Sequence, residues 1–78
     1  MAEKHVKVSY DREGDILYIE KCAPYAEQES EEIGDEIIAR LNPESGAVET
    51  LEILFFSKRL MANEQLDLPI DMDLRLVA

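Results

Sequence analysis

The chain predicts an α+β fold: an antiparallel β-sheet of two hairpins, one short helix and a C-terminal strand or arm. Three observations predict it. The turn Asn42-Pro43-Glu44-Ser45-Gly46 separates two apolar runs. A second turn, Asp11-Arg12-Glu13-Gly14, separates two more. From Leu66 to Leu76 every second residue is apolar, a period that fits a strand and would scatter around a helix.

Residues 35–54 read as a long central hairpin. Pro43 sets φ near the helical value, Asn42 can hydrogen-bond the backbone ahead of it, and Gly46 can turn left-handed to close the loop. A loop of residues 43–46 places Asn42 opposite Ala47. Counting outward pairs Leu41 with Val48, Arg40 with Glu49, Ala39 with Thr50 and Ile38 with Leu51. Strand side chains alternate, so one face carries Ile37, Ala39, Leu41 and Val48. The other carries Ile38, Leu51 and Ile53, with Arg40 opposite Glu49 as a pair worth roughly 0.2–1 kcal/mol. Both faces are then apolar, and each needs a cover from this chain or from a second copy.

The first hairpin begins with residues 5–10. Val6, Val8 and Tyr10 share one parity and His5, Lys7 and Ser9 the other. Asp11 caps the turn and Gly14 supplies its left-handed residue. Residues 16–20 are apolar on both parities. Pairing Tyr10 with Ile16 and Val8 with Tyr18 builds one apolar face and leaves Leu17 and Ile19 for another. Pro24 breaks the ladder in the loop after Cys22. Glu27, Glu29, Glu31 and Glu32 then make an exposed edge strand, where charge discourages pairing with strangers; a solvated loop is the other reading. Gly34 ends it. Beyond the central hairpin, Ser57 is the expected N-cap of a helix over residues 58–62, and Asn63 its end. Phe56 and Leu60, four apart, face the sheet together. A helix this short is held by packing rather than propensity. Residues 5–62 form the core of one domain and residues 63–78 a tail arm, where Pro69 restricts the segment to an edge strand or a bent arm.

At 78 residues the chain buries only roughly 60% of its unfolded surface. Cys22 is alone, so no disulfide helps, and a lone thiol fits the cytoplasm. A homodimer through the apolar faces and the tail relieves the shortfall. No apolar run approaches the ~20 residues of a membrane span, and no basic segment followed by an apolar one marks a signal peptide. The net charge of −10 repels phosphate backbones, so no nucleic acid is expected. The same charge suits a basic protein partner, or merely keeps a small protein dissolved.

Chemistry is sparse. Cys22 and His5 are the only thiol and the only imidazole. A nucleophile and its base must lie within hydrogen-bond reach, and a loop cysteine beside a solvent-facing histidine is the simpler reading. Cation sites need oxygens converging at ~2.3–2.6 Å, whereas carboxylates in a row on a strand diverge. Zinc would need more Cys and His than the chain holds. No motif implies a cofactor. Asp11, Glu13 and Asp15 are either ligands or, more simply, turn chemistry. The candidate sites are therefore interaction surfaces: Glu27, Glu29, Glu31 and Glu32 on the acidic edge, and Leu66, Leu68, Ile70, Met72 and Leu74 along the tail.

The run Tyr10-Asp11-Arg12-Glu13-Gly14-Asp15-Ile16-Leu17-Tyr18-Ile19 resembles the opening of a small prokaryotic family, number 2283 among the domains of unknown function. That family's pattern is roughly Tyr-Asp-x-Glu-x-Asp-x-Leu-Tyr-Ile. Leu51-Glu52-Ile53-Leu54 and Ser57-Lys58-Arg59-Leu60 resemble its second signature and its short helix. The resemblance spans about residues 6–60 and departs at Gly14, often alanine there, and in the longer tail. It implies a small β-rich domain with one helix and no established reaction. Some relatives resemble the antitoxin of a toxin–antitoxin pair, which implies a basic partner. The expected function is thus a small acidic interaction domain. The alternative is an enzyme or metal-binding domain whose site forms at a homodimer interface.

Overall fold

The computed structural model describes residues 5–77. Five strands form one antiparallel sheet: β1 (Lys7–Asp11), β2 (Ile16–Glu20), β3 (Glu29–Gly34), β4 (Ile37–Leu41) and β5 (Val48–Leu54). Helix α1 (Phe56–Ala62) follows. Across the sheet the order is β1-β2-β5-β4-β3. The chain makes the first hairpin, crosses to lay down the far edge, then returns through β4 to fill the centre with β5. The acidic segment takes the edge position that its charge predicts.

The first hairpin, and the second beyond its Leu41–Val48 pair, run one residue away from the expected registers. In the first, Tyr10 lies opposite Leu17 and Val8 opposite Ile19. The loop runs through Asp15, which takes the left-handed conformation (φ 57°) that the sequence assigns to Gly14. In the second, the turn forms as expected. The Asn42 side chain accepts from the Glu44 and Ser45 amides, and Gly46 is left-handed. Leu41 lies opposite Val48, but Arg40 then pairs with Thr50, which leaves Glu49 as a β-bulge.

A one-residue slip inverts every side chain. The expectation of two apolar faces is therefore corrected. Ile37 and Ala39 share a face with Leu51 and Ile53, and Leu17 and Ile19 extend it across β2. The buried apolar side chains among the described residues, Ile37, Ala39, Leu51 and Ile53, all lie there. The opposite face is mixed, with Tyr18, Glu20, Thr50 and Glu52 among its residues. The expected Arg40–Glu49 pair is replaced by a diagonal one, Arg40 Nε to Glu52 Oε2 at 2.5 Å.

Helix α1 is displaced by its capping. Ser57 is not the N-cap; Phe55 holds that position in a left-handed conformation (φ 53°) with no side-chain cap of its own. Asn63 ends the helix as expected, its amide bonded to the Arg59 carbonyl at 2.9 Å. Phe56 and Leu60 are both half-buried. Arg59 fastens the helix by donating to the carbonyls of Leu54 and Asp35. Asp15, Glu36 and Phe55, the left-handed non-glycine residues among those described, gather at one end of the sheet. There the Leu54 amide bonds the Glu36 carbonyl and the Phe56 amide bonds the Asp15 carbonyl.

The tail takes the form of an arm, without a ladder. Its alternation survives over the first half, where Leu66, Leu68 and Ile70 are half-buried while Asp67 and Pro69 are exposed. The Ile70 amide reaches back across Pro69 to the Leu68 carbonyl at 2.8 Å. This tight γ-turn bends the chain and uses groups that a ladder would need. From residue 71 to residue 77 every side chain is exposed.

Candidate functional site

Asp15 is the junction between the first hairpin and the helix. Its Oδ1 accepts from the Tyr10 hydroxyl at 2.5 Å and from the Ser57 amide at 3.0 Å. Its Oδ2 accepts from the Ser57 hydroxyl at 2.9 Å. The carboxylate thereby caps a helix start 42 residues away in sequence, where free amides favour negative charge. The Tyr10 hydrogen bond, then the Ser57 amide, hold the Asp15 carboxyl below its ordinary pKa. The same hydrogen bond raises Tyr10. Tyr10 also packs against Phe56, with ring centroids 6.0 Å apart. Asp11 does what the sequence predicts, accepting from the Glu13 amide at 3.1 Å. In the acidic turn, the Asp11 and Asp15 carboxylates are thus engaged as turn and cap acceptors.

A second carboxylate, on the bulged Glu49, gathers the far end of the sheet. It accepts from the Tyr25 hydroxyl at 2.5 Å, Gln28 Nε2 at 3.0 Å and Asn42 Nδ2 at 3.2 Å. Its carbonyl accepts from the Lys21 amide at 2.8 Å. The bulge turns this residue toward residues 21–28 and pins that connection to the central turn. Only the polar character of Tyr25 and Gln28 within a weakly apolar stretch hints at it in the sequence.

The Tyr25–Glu49 bond raises Tyr25 to about 12 and lowers Glu49. A raised tyrosine favours the folded state below its ordinary value of 10.0, and that contribution is lost as pH climbs from there through the folded value. A lowered carboxyl contributes above its ordinary value of 4.5, a contribution lost as pH falls through the folded one. Denaturant unfolding between pH 8 and 11 should therefore show stability falling above pH 10, and less steeply in Tyr25→Phe. Parallel profiles for the two proteins would show that the hydroxyl does not anchor this connection.

His5 and Cys22 come together where the sequence could not place them. With Lys7, Glu20, Lys21 and Pro24 they line a cavity of about 270 Å³ at the bottom of β1 and β2. Burial, and next the nearby Glu49, push the Cys22 thiol up despite the opposing Lys21. That keeps it protonated, the opposite of what a nucleophilic thiol needs.

The nominated interaction residues divide. Glu29 and Glu31 share one face of β3, opposite Leu41 and Ala39. Glu32 lies on the other face and accepts from the Glu36 amide at 3.3 Å. Glu27 precedes the strand and lies outside the edge strand expected to contain it. Among the described residues no group of acidic, His or Cys side chains is arranged to hold a metal ion. In the tail, Leu66, Leu68 and Ile70 lie partly against the protein while Met72 and Leu74 are exposed. No helix among the described residues is long and apolar enough to cross a membrane.

No curated protein and no solved structure matches the chain. One family model does, over residues 7–57. That span runs from the start of β1 to the serine that Asp15 caps, so it contains the sheet and the junction and leaves the arm outside. The chain belongs to the family described as Protein of unknown function (DUF2283).

Proposed function

We propose that this domain is a non-enzymatic interaction module that acts as a homodimer in the cytoplasm. Its acidic edge takes a basic protein partner, in the manner of an antitoxin, and nucleic acid is not its target. One observation carries the reading. β3 is an outermost strand whose Glu29, Glu31 and Glu32 are exposed, with exposed Glu27 just before it. Among the described residues Glu29 and Glu31 meet no cation. An edge strand offers unpaired backbone groups, and its side chains select what may add to it. Here they select lysine and arginine, and the net charge of −10 steers such a partner inward.

The test compares the tagged wild type with Glu29→Lys/Glu31→Lys at about 50 mM and about 500 mM salt. The wild type should retain one basic protein at low salt and shed it at high salt; the charge-reversed variant should not hold it at either. Reconstitution with that purified protein should show binding weakened by roughly tenfold or more. Equal retention by both proteins would remove the acidic edge from the reading.

The alternative, a reaction or metal site formed between two copies, has one supporting observation: His5 and Cys22 share a cavity. The raised Cys22 thiol counts against its use as a nucleophile.

A further inference from the structure

We propose that the C-terminal arm of a second copy adds to the free edge of β1 as a sixth strand, and that two copies exchange arms to form the dimer. This rests on the homodimer reading above and deepens it by naming the two surfaces that meet.

Each surface is left unsatisfied in a single copy. β1 is the outer strand opposite the acidic edge, and all five of its residues are exposed. Val6 is 55% exposed and Val8 65%, although both lie on the parity of the buried face. The arm beyond the Pro69 turn is more extreme, with Leu74 78% and Leu76 100% exposed. Unpaired backbone beside apolar side chains is what strand addition covers.

The two segments match residue by residue. On β1 and just before it, Val6, Val8 and Tyr10 alternate with His5, Lys7 and Ser9. On the arm, Met72, Leu74 and Leu76 alternate with Asp71, Asp73 and Arg75. In a parallel pairing with Asp73 opposite Lys7, Asp71 falls opposite His5. Met72, Leu74 and Leu76 then fall opposite Val6, Val8 and Tyr10, and extend the apolar face by one strand. Arg75 falls opposite Ser9, diagonal to Asp11. A slip of one residue sets aspartates against valines, so the register is specified.

Charge selects the edge. Lys7, Lys21 and His5 line one cavity whose one lining carboxylate is Glu20, with Glu49 near Cys22, so this corner gathers two of the lysines among the described residues. Of the other described cations, Arg40 is paired with Glu52, Arg59 is held by carbonyls, Lys58 lies over the Phe55 ring and Arg12 sits in the first turn among Asp11, Glu13 and Asp15. Arg75 pairs with Asp73, but both side chains are at least three-quarters exposed, so that pair exchanges readily. On the opposite edge, an arm with its leucines on the apolar face would set them beside Glu29 and Glu31 and its aspartates near Glu32. The arm is therefore repelled from β3 and received by β1.

Two complementary variants test this by sedimentation equilibrium. Asp71→Lys/Asp73→Lys reverses the arm and Lys7→Glu reverses the edge. The wild type should be a dimer. Each variant alone should dimerise roughly tenfold or more less tightly, as the Asp73–Lys7 pair turns repulsive at both exchanged edges. An equimolar mixture should dimerise again, because each arm then meets an edge of opposite sign. A chain ending at Ile70, which lacks only exposed residues and Ala78, should be monomeric with the sheet's amide spectrum unchanged. A dimer that persists in that shortened chain overturns the arm exchange and leaves the homodimer reading standing. A wild type that stays monomeric overturns both. So does a monomer whose own arm protects β1. Variants that dimerise as the wild type does, alone and mixed, overturn the pairing.

Discussion

Ile53→Ala lowers the stability of the fold by about 2–5 kcal/mol, the cost of a cavity in place of a fully buried isoleucine. Ile53 is 1% exposed and sits mid-sheet on β5, with Leu17 opposite it on β2 and Ile37 opposite it on β4. Neither neighbour can close the gap, because each is held by its own ladder. Small domains have roughly 5 kcal/mol in hand, so a large share of the molecules unfolds. The measurement is urea denaturation, where the midpoint falls with little change of slope. Ile38→Ala is the control. Ile38 is half-buried on the opposite face, beside Glu52, and its loss should cost less than half as much. Equal costs would mean that the single apolar face is misassigned and that the register expected from the turn alone is the true one.

Asp15→Ala separates the helix from the first hairpin. Three hydrogen bonds are lost together, from Tyr10 and from the amide and hydroxyl of Ser57. Alanine also sits poorly at φ 57°. Among the described residues no other exposed or half-exposed position combines a backbone penalty with the loss of a cap, so this substitution should cost more than any at their remaining surface carboxylates. Asp15→Asn should cost less, because asparagine tolerates the left-handed region and keeps an acceptor oxygen. It removes the charge, and with it the pH dependence. The wild-type carboxyl is lowered, so its contribution is full above the ordinary value of 3.8 and disappears as pH falls through the folded value. Helix circular dichroism should decline with acid in the wild type and stay flatter in Asp15→Asn. If Asp15→Ala keeps the Ser57 amide as protected as in the wild type, the cap lies elsewhere.

Much of the fold was legible because it is local. The turn at Asn42 and Gly46, the acidic edge and the helix with its end at Asn63 all follow from residues within a few positions of one another. The registers were not legible, because what sets them is distant. Glu49 leaves the ladder toward Tyr25, Gln28 and Asn42, and nothing in its own neighbourhood announces that. A period of two punishes such a miss fully, since one slipped residue exchanges the faces. Asp15 in place of Gly14 is the same kind of miss. Glycine turns left-handed most easily, but an aspartate whose carboxylate is needed at Ser57 is turned by that need. In the tail, strict alternation reveals which side is apolar and says nothing about what lies alongside. Within the candidate site, the cavity that His5 and Cys22 both line came only from the topology, which brings the start of β1 beside the end of β2.

The gathering of Asp15, Glu36 and Phe55 at one end of the sheet gives the molecule a direction. That end is a knot of backbone tied to backbone, where an inserted residue displaces several segments at once. The other end holds the open loop at Glu44 and Ser45, and beneath it a carboxylate held by side chains alone. Growth by insertion, in nature or by design, belongs at that loose end, and a graft there can carry new specificity while the knot keeps the strands in order.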